Sequence, residues 1–202
     1  MSNENKIEKD QSNTSAYLMM AIFYVYLGQE TSYAGWISSY VVILNLDTER
    51  GAARFPAIFW VTITMLRFVF AGIPGKSSTK LKGLIFLQII CYFIATCMFY
   101  SSHEYLAAYW TSITIGIAYS SMYPMAYTLP MEFNQKITES QTATIMLIGG
   151  LGEGTLTTIT GYLIKIFGPQ TLFTFLLACG FLLYLLVHLI MENLKKNEPK
   201  VV

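Results

Sequence analysis

Three charged residues lie inside long apolar segments of the sequence, and they are the residues best suited to do chemistry. They are Glu30, Arg67 and Glu153. A charged side chain at the centre of a membrane-spanning helix costs roughly 2.5–3.5 kcal/mol, so it usually faces the inside of a helix bundle and has a function. Two acids and one base indicate a charge-compensated set that binds a solute or carries an ion.

Polar and aromatic side chains surround Glu30 at helical spacing. One face carries Tyr26, Gln29, Glu30, Tyr33, Trp36 and Tyr40. Residues three and four apart are neighbours on a helix, so this stripe predicts a solute site built from Gln29, Glu30, Tyr33 and Trp36. The flanking Gly28 and Gly35 predict a place where the helix loosens. The alternative is a packing helix whose one acid is neutralised by a hydrogen bond.

A second polar face surrounds Glu153. It carries Gly149, Glu153, Thr157 and Thr160. We predict that Glu153 also contacts the solute, and that Glu30, Glu153 and Thr157 couple transport to an ion. The step from Gly150 to Gly154 predicts close approach of another helix. The alternative for Glu153 is a hydrogen-bonded packing residue.

A tyrosine stripe and the arginine complete the set. The stripe is Tyr109, Ser112, Gly116, Tyr119 and Tyr123. Of these, Tyr119 and Tyr123 are predicted to line the solute site, because rings and hydroxyls suit sugar-like ligands; aromatic packing is the alternative. Arg67 is predicted to be a structural counter-charge, and the alternative is that it snorkels toward lipid headgroups. Gln88 and His188 are weaker candidates.

The composition indicates a multi-pass integral membrane protein, in a plasma or organelle membrane. Of the 202 residues, 54% are hydrophobic and only 12% are charged, against about 25% charged in soluble domains. A net charge of +1 argues against nucleic acid as a partner. Zinc, nucleophile-elbow and nucleotide-loop motifs are missing, so we expect no enzyme, metal or cofactor.

Six apolar segments predict six transmembrane helices in one domain, residues 16–191, between a polar tail, 1–15, and a charged tail, 192–202. The segments are 16–44, 55–73, 83–100, 105–131, 140–164 and 170–191. Pro124 and Pro130 predict a kink in the fourth. Nine lysines lie on the side of the two tails and three basic residues lie on the other, which predicts that both tails are cytoplasmic.

Several of these motifs resemble the C-terminal six-helix half of a major facilitator superfamily transporter. The branch most similar holds fucose permease-like and sodium-dependent glucose transporter-like proteins. The matching residues are Tyr26-x-Gly28-x-Glu30 with Trp36, Phe59-Trp60 with Arg67, Gly116 to Pro124, and Gly149-Gly-Leu-Gly-Glu-Gly154. The resemblance covers nearly the whole chain apart from its tails.

The resemblance implies two inverted three-helix repeats and alternating access, with the solute held at the membrane midplane. It implies symport of a small polar solute, sugar-like first, with protons or sodium. Because only one half is matched, we expect a second six-helix half or a homodimer as partner. A non-transporting membrane subunit or regulator is the alternative. An intramembrane enzyme that uses His188 or Ser121 is a third hypothesis.

Overall fold

The computed structural model describes residues 3–72, 75–133 and 137–196. These residues form eight helical segments and no strand. The helices are α1 Asn3–Ile43, α2 Glu49–Ala52, α3 Arg54–Gly72, α4 Ser77–Tyr100, α5 Glu104–Tyr119, α6 Met122–Glu132, α7 Glu139–Phe167 and α8 Thr171–Lys196. The prediction of an all-helical chain is therefore confirmed.

Three helical stretches are long and apolar enough to cross a membrane. They are Glu49–Gly72, which comprises α2 and α3, Ser77–Tyr100 and Thr171–Lys196. Large apolar side chains also cover the outside of the bundle; Phe68, for example, is 77% exposed. An exterior of this kind is stable against lipid and not against water. The chain is a membrane protein, as its composition predicts.

The helices extend beyond the predicted apolar segments. α1 begins at Asn3, so residues 3–15 of the predicted tail continue the first helix. α8 likewise continues to Lys196, and α4 begins at Ser77, inside the predicted basic loop. The physical reason is that adding polar helix formers to an existing helix costs little, because the unfavourable step is nucleation.

The fourth apolar segment is broken into α5 and α6 between Tyr119 and Met122. The sequence predicted the kink at the prolines themselves, but the helix breaks one turn earlier, at Ser120. Pro124 has no N–H to donate to the carbonyl of Ser120, four residues before it, and its ring clashes with that carbonyl. Pro130 remains inside α6.

Glycines set the closest packing in the bundle, which lies between α1 and α7. A Cβ atom on Gly152 would be 2.1 Å from the carbonyl oxygen of Tyr24, and one on Gly149 would be 2.6 Å from Leu27. The predicted pair was wrong: Gly150 and Gly154 have nothing within 4 Å of an added Cβ. Both lie on the exposed face of α7. Gly150 follows the contacting Gly149 by one residue, and Gly154 follows the contacting Gly152 by two.

The predicted loosening of α1 at its own glycines is also wrong. α1 is an unbroken helix through Gly28 and Gly35. Gly28 is a packing position, since its missing Cβ makes room for Leu156 and the carbonyl of Gly152. The other helix contacts place α1 and α4 against α8, α4 against α5 and α6, and α3 against α5.

Candidate functional site

A cluster of amide and phenol groups occupies the core between α1, α4, α5 and α8. Gln88 donates from Nε2 to Gln29 Oε1 at 2.7 Å and to the hydroxyl of Tyr119 at 3.0 Å. Tyr119 donates to Gln29 Oε1 at 3.2 Å, and Gln29 Nε2 donates to the carbonyl of Leu176 at 3.2 Å. Four helices are therefore joined by one network of buried hydrogen bonds.

Several predicted solute-binding residues are fully enclosed. Gln29, Tyr33 and Tyr119 have 0% of their surface exposed. The Tyr33 hydroxyl donates to Thr111 Oγ1 at 2.8 Å and lies 2.9 Å from Ser112 Oγ, which fixes α1 against α5. In this conformation these side chains hold helices together, and a solute reaches them only if the helices separate.

The cluster includes two residues that the sequence analysis ranked low or omitted, Gln88 and Tyr92. Both are fully buried on α4, one turn apart. The Oε1 atom of Gln88 and the hydroxyl of Tyr92 have no hydrogen-bond partner among the described residues. The sequence signal is a lone amide in an apolar segment, one turn from a tyrosine, which indicates a buried polar pair but not its hydrogen-bond partners.

Three helices carry the predicted charged residues, and among the described residues no ion pair within 4.0 Å joins them. Glu30 on α1 is only 6% exposed, and it interacts electrostatically with Arg67 on α3 and with Glu153 on α7. The buried hydroxyl of Tyr26 lies beside Glu30, although the pair does not meet the geometry of a normal hydrogen bond. The positive charge of Arg67 attracts a negative charge on Glu30, whereas the like charge of Glu153 repels it.

Arg67 makes a specific contact with the helix break. Its Nε donates to the carbonyl of Ser120 at 3.0 Å, the carbonyl that Pro124 leaves without a helical partner. Part of the arginine remains exposed at the bundle surface. Arg67 thus links the break between α5 and α6 to the environment of Glu30.

Trp36 points toward α7 and away from Tyr33. Its Nε1 donates to the carbonyl of Thr157 at 2.9 Å, and its ring fills the space that a Cβ on Gly161 would occupy. The hydroxyl of Thr157 lies 3.3 Å from Ser32 Oγ. The predicted stripe on α1 therefore divides, one part facing α5 and the other facing α7.

A cavity of about 430 Å³ opens beside Trp36, near the end of α1. Ser38, Ser39 and Glu49 also line it. An aromatic ring, two hydroxyls and a carboxylate are groups that a polyhydroxylated solute can contact.

The remaining predicted residues have separate environments. Tyr123 packs edge-on against Phe23, with ring centroids 5.4 Å apart, and its hydroxyl donates to the sulfur of Met146 at 3.0 Å. Tyr109 is 42% exposed and lies outside the cluster. His188 Nε2 lies 3.4 Å from a carboxylate oxygen of Glu192 at the surface. Among the described residues, no three side chains are placed to hold a metal ion.

Comparison with known proteins finds a distant relative that covers nearly the whole chain. No family model matches the chain, and no solved structure matches it. The chain is similar to the protein TsgA homolog of Buchnera aphidicola subsp. Schizaphis graminum (strain Sg), with 25% identity over 197 residues. The match covers 97% of this chain and 50% of the relative. The chain therefore spans about half the length of the curated relative that it matches.

Proposed function

We propose that the chain forms one six-helix half of a major facilitator-type transporter for a small polar solute, sugar-like first. In this proposal it acts by alternating access with a second six-helix half. The observation that carries the proposal is the charged set Glu30, Arg67 and Glu153, contributed by three different helices. Glu30 is buried, Glu153 is half-buried and Arg67 is exposed. Burying an acid in an apolar bundle is costly, and an acid kept there generally marks a solute or ion pathway.

The packing of the helices supports a pair of inverted three-helix repeats. The first repeat consists of α1, α3 and α4, and the second consists of the broken helix α5–α6, α7 and α8. The first helix of each group packs on the second helix of the other, α1 on α7 and α5 on α3. The first helix of each group also packs on the third of the other, α1 on α8 and α5 on α4, while α4 and α8 pack together. This pattern is what a two-fold relation between the groups requires.

The solute, in this proposal, first meets the residues that are not sealed in the core. Glu153, Thr157, Trp36 and Tyr123 are half-buried, so they remain open to a ligand on the inner face. Gln29, Tyr33 and Tyr119 join them when α1 separates from α5. The match covers only half of the longer relative. A second half of that size would supply the opposing wall of the cavity.

Glu30 carries the ion in this proposal, either as a proton acceptor or as a sodium ligand together with Glu153 and Thr157. Protonation of Glu30 removes a negative charge that interacts with Arg67, and sodium binding compensates that charge. The Arg67 side chain then has the Ser120 carbonyl as its remaining partner, which ties the ion to the geometry of the break between α5 and α6.

Uptake into proteoliposomes tests the proposal. The purified chain, with any six-helix partner that copurifies, is given labelled monosaccharides and other small polar solutes under a proton or sodium gradient. We expect gradient-driven accumulation of at least one solute. Glu30→Gln should abolish accumulation and spare exchange, because it keeps the side-chain size and removes the change in charge. The matched control is His188→Gln at the surface.

Two results would overturn parts of the proposal. Wild-type accumulation by Glu30→Gln would remove ion coupling from Glu30. Failure to take up or exchange any solute, both alone and with a copurified partner, would overturn transport and favour the non-transporting subunit.

A further inference from the structure

A basic pocket lies at the end of the bundle where α4 begins and α6 and α8 end. Its volume is about 340 Å³. The residues that line it are Lys76, Ser78, Thr79, Lys82, Glu132, Phe133, Met191 and Lys195. Three lysines thus come from one loop and two helices that are far apart in sequence.

The single acid in the pocket is already engaged. Glu132 accepts hydrogen bonds from the backbone N–H of Ser78 at 2.9 Å and from its hydroxyl at 2.8 Å, one on each carboxylate oxygen. Among the described residues, Lys76, Lys82 and Lys195 form no ion pair within 4.0 Å. Three lysines that line one small cavity give it a positive charge, which a bound anion would balance.

The surroundings of the pocket are apolar, which decides between a lipid and a soluble anion. Phe133 and Met191 are buried side chains at its wall. One turn below Lys82 on α4, Phe86 is 59% exposed, and Ile90 lies exposed one turn further. A headgroup held by the lysines would place its acyl chains along this exposed apolar surface.

We propose that this pocket binds the phosphate headgroup of an anionic phospholipid. Lysine ammonium groups bind phosphate as point charges, and basic pockets at the ends of membrane helices attract anionic lipids. The pocket is distinct from the charged set around Glu30, and the proposal does not rest on the transport function.

Native mass spectrometry of the purified full chain tests the proposal, with phosphatidylglycerol and phosphatidylcholine titrated separately. The wild type should prefer phosphatidylglycerol. The triple variant Lys76→Gln, Lys82→Gln, Lys195→Gln should bind it about 100-fold more weakly, at about fivefold for each lysine lost. The matched control is Arg50→Gln with Lys165→Gln, which removes basic residues outside the pocket.

Helix content by circular dichroism checks that the triple variant is folded, as expected for exchanges of lysines that make no ion pair. Equal phosphatidylglycerol binding by the triple variant and the wild type would overturn the proposal. So would displacement of phosphatidylglycerol by millimolar inorganic phosphate, since that result would identify a site for the soluble anion. If the triple variant fails to fold, the three single Lys→Gln variants provide the binding comparison. Phosphatidylglycerol binding by all three that equals the wild type would then overturn the proposal.

Discussion

Two helix pairs at equivalent places in the proposed repeats are built in opposite ways. α1 and α7 are unbroken and meet at glycines, so that the backbone of Tyr24 lies against Gly152. On the other side, α3 packs against α5, which ends at Tyr119 and is followed by a break. There the contact with the break is made by one long side chain, Arg67, to the carbonyl of Ser120.

The difference teaches where the bundle is rigid and where it can adjust. Where backbone contacts backbone, no side chain can change its rotamer to accommodate a shift of the helices. We therefore expect α1 and α7 to move as one body. A break bridged by an arginine can change its angle, because the long side chain follows the carbonyl. We expect rearrangement to occur at Ser120 and Ser121.

The largest expected effect is at Gly152. Gly152→Ala should lower the free energy of unfolding by about 3 kcal/mol, because its Cβ would lie 2.1 Å from a backbone oxygen that cannot move cheaply. Thermal unfolding in detergent measures the change. The matched control is Gly154→Ala on the same helix, which has open space and should change stability by no more than about 1 kcal/mol. Equal effects of the two variants would contradict the rigid α1–α7 pair.

The second effect concerns the arginine that bridges the break. Arg67→Gln should cost about 2 kcal/mol, since a hydrogen bond from a charged donor is lost. Pro124→Ala restores an N–H that can bond the Ser120 carbonyl, so Arg67→Gln should cost about 1 kcal/mol less in that background. A double-mutant cycle on unfolding midpoints in detergent measures the coupling. Strict additivity would show that Arg67 does not act through the proline break.

The third effect is smaller and lies in the core that both pairs share. Gln88→Leu should destabilise the bundle by about 1 kcal/mol. The loss of two hydrogen bonds destabilises it, and removal of the buried, unpartnered Oε1 offsets part of that loss. Ile90→Leu, on the outer face of α4, is the control. Thermal unfolding measures both variants. A Gln88→Leu protein more stable than the wild type would indicate that the network serves function at a cost in stability.

The smallest effect lies in the connection between α1 and α3, which joins the two pairs. The Thr48 backbone N–H and the Arg54 guanidinium lower the pKa of the half-buried Asp47. A lowered pKa in the folded chain means that this local contribution is present above the unfolded pKa and is lost as pH falls through the folded one. Carbon NMR of Asp47 should give a midpoint below its ordinary value.

Arg54→Gln separates the two causes at Asp47. The Thr48 N–H remains at 2.7 Å from Oδ1 in this variant, so the midpoint should rise only part of the way to the ordinary value. A full return would assign the whole shift to Arg54.

The helical, membrane-embedded character of the chain is predictable from its sequence, because hydropathy and low charge are summed over many residues. Helix ends are less predictable. The polar residues 3–15 continue α1, since extension of an existing helix is nearly free. The place of the break is predictable because a proline disrupts the hydrogen bond to the carbonyl four residues before it. For Pro124 that carbonyl belongs to Ser120, where the helix breaks.

The partners of individual polar residues were harder to predict than their burial. Four glycines lie within about 8 Å along the helix axis, and only the rotation of α7 decides which of them faces α1; they are Gly149, Gly150, Gly152 and Gly154. The same limit applies to Trp36, which turns to α7 although it continues the stripe of Tyr33. Gln88 could not be ranked correctly from the sequence because its role depends on hydrogen bonds to Gln29 and Tyr119, which lie on two other helices.

The close approach at Gly152 also implies a chemical bond of a different kind. The hydrogen that stands in place of a side chain on its Cα points at the carbonyl oxygen of Tyr24. Such a C–H···O contact is a weak hydrogen bond, worth about 0.5–1 kcal/mol. It should shift the glycine α-proton downfield in a magnetic resonance spectrum. The Cα–H group of Gly152 thus acts as a hydrogen-bond donor between α1 and α7, a contribution that hydropathy scales do not include.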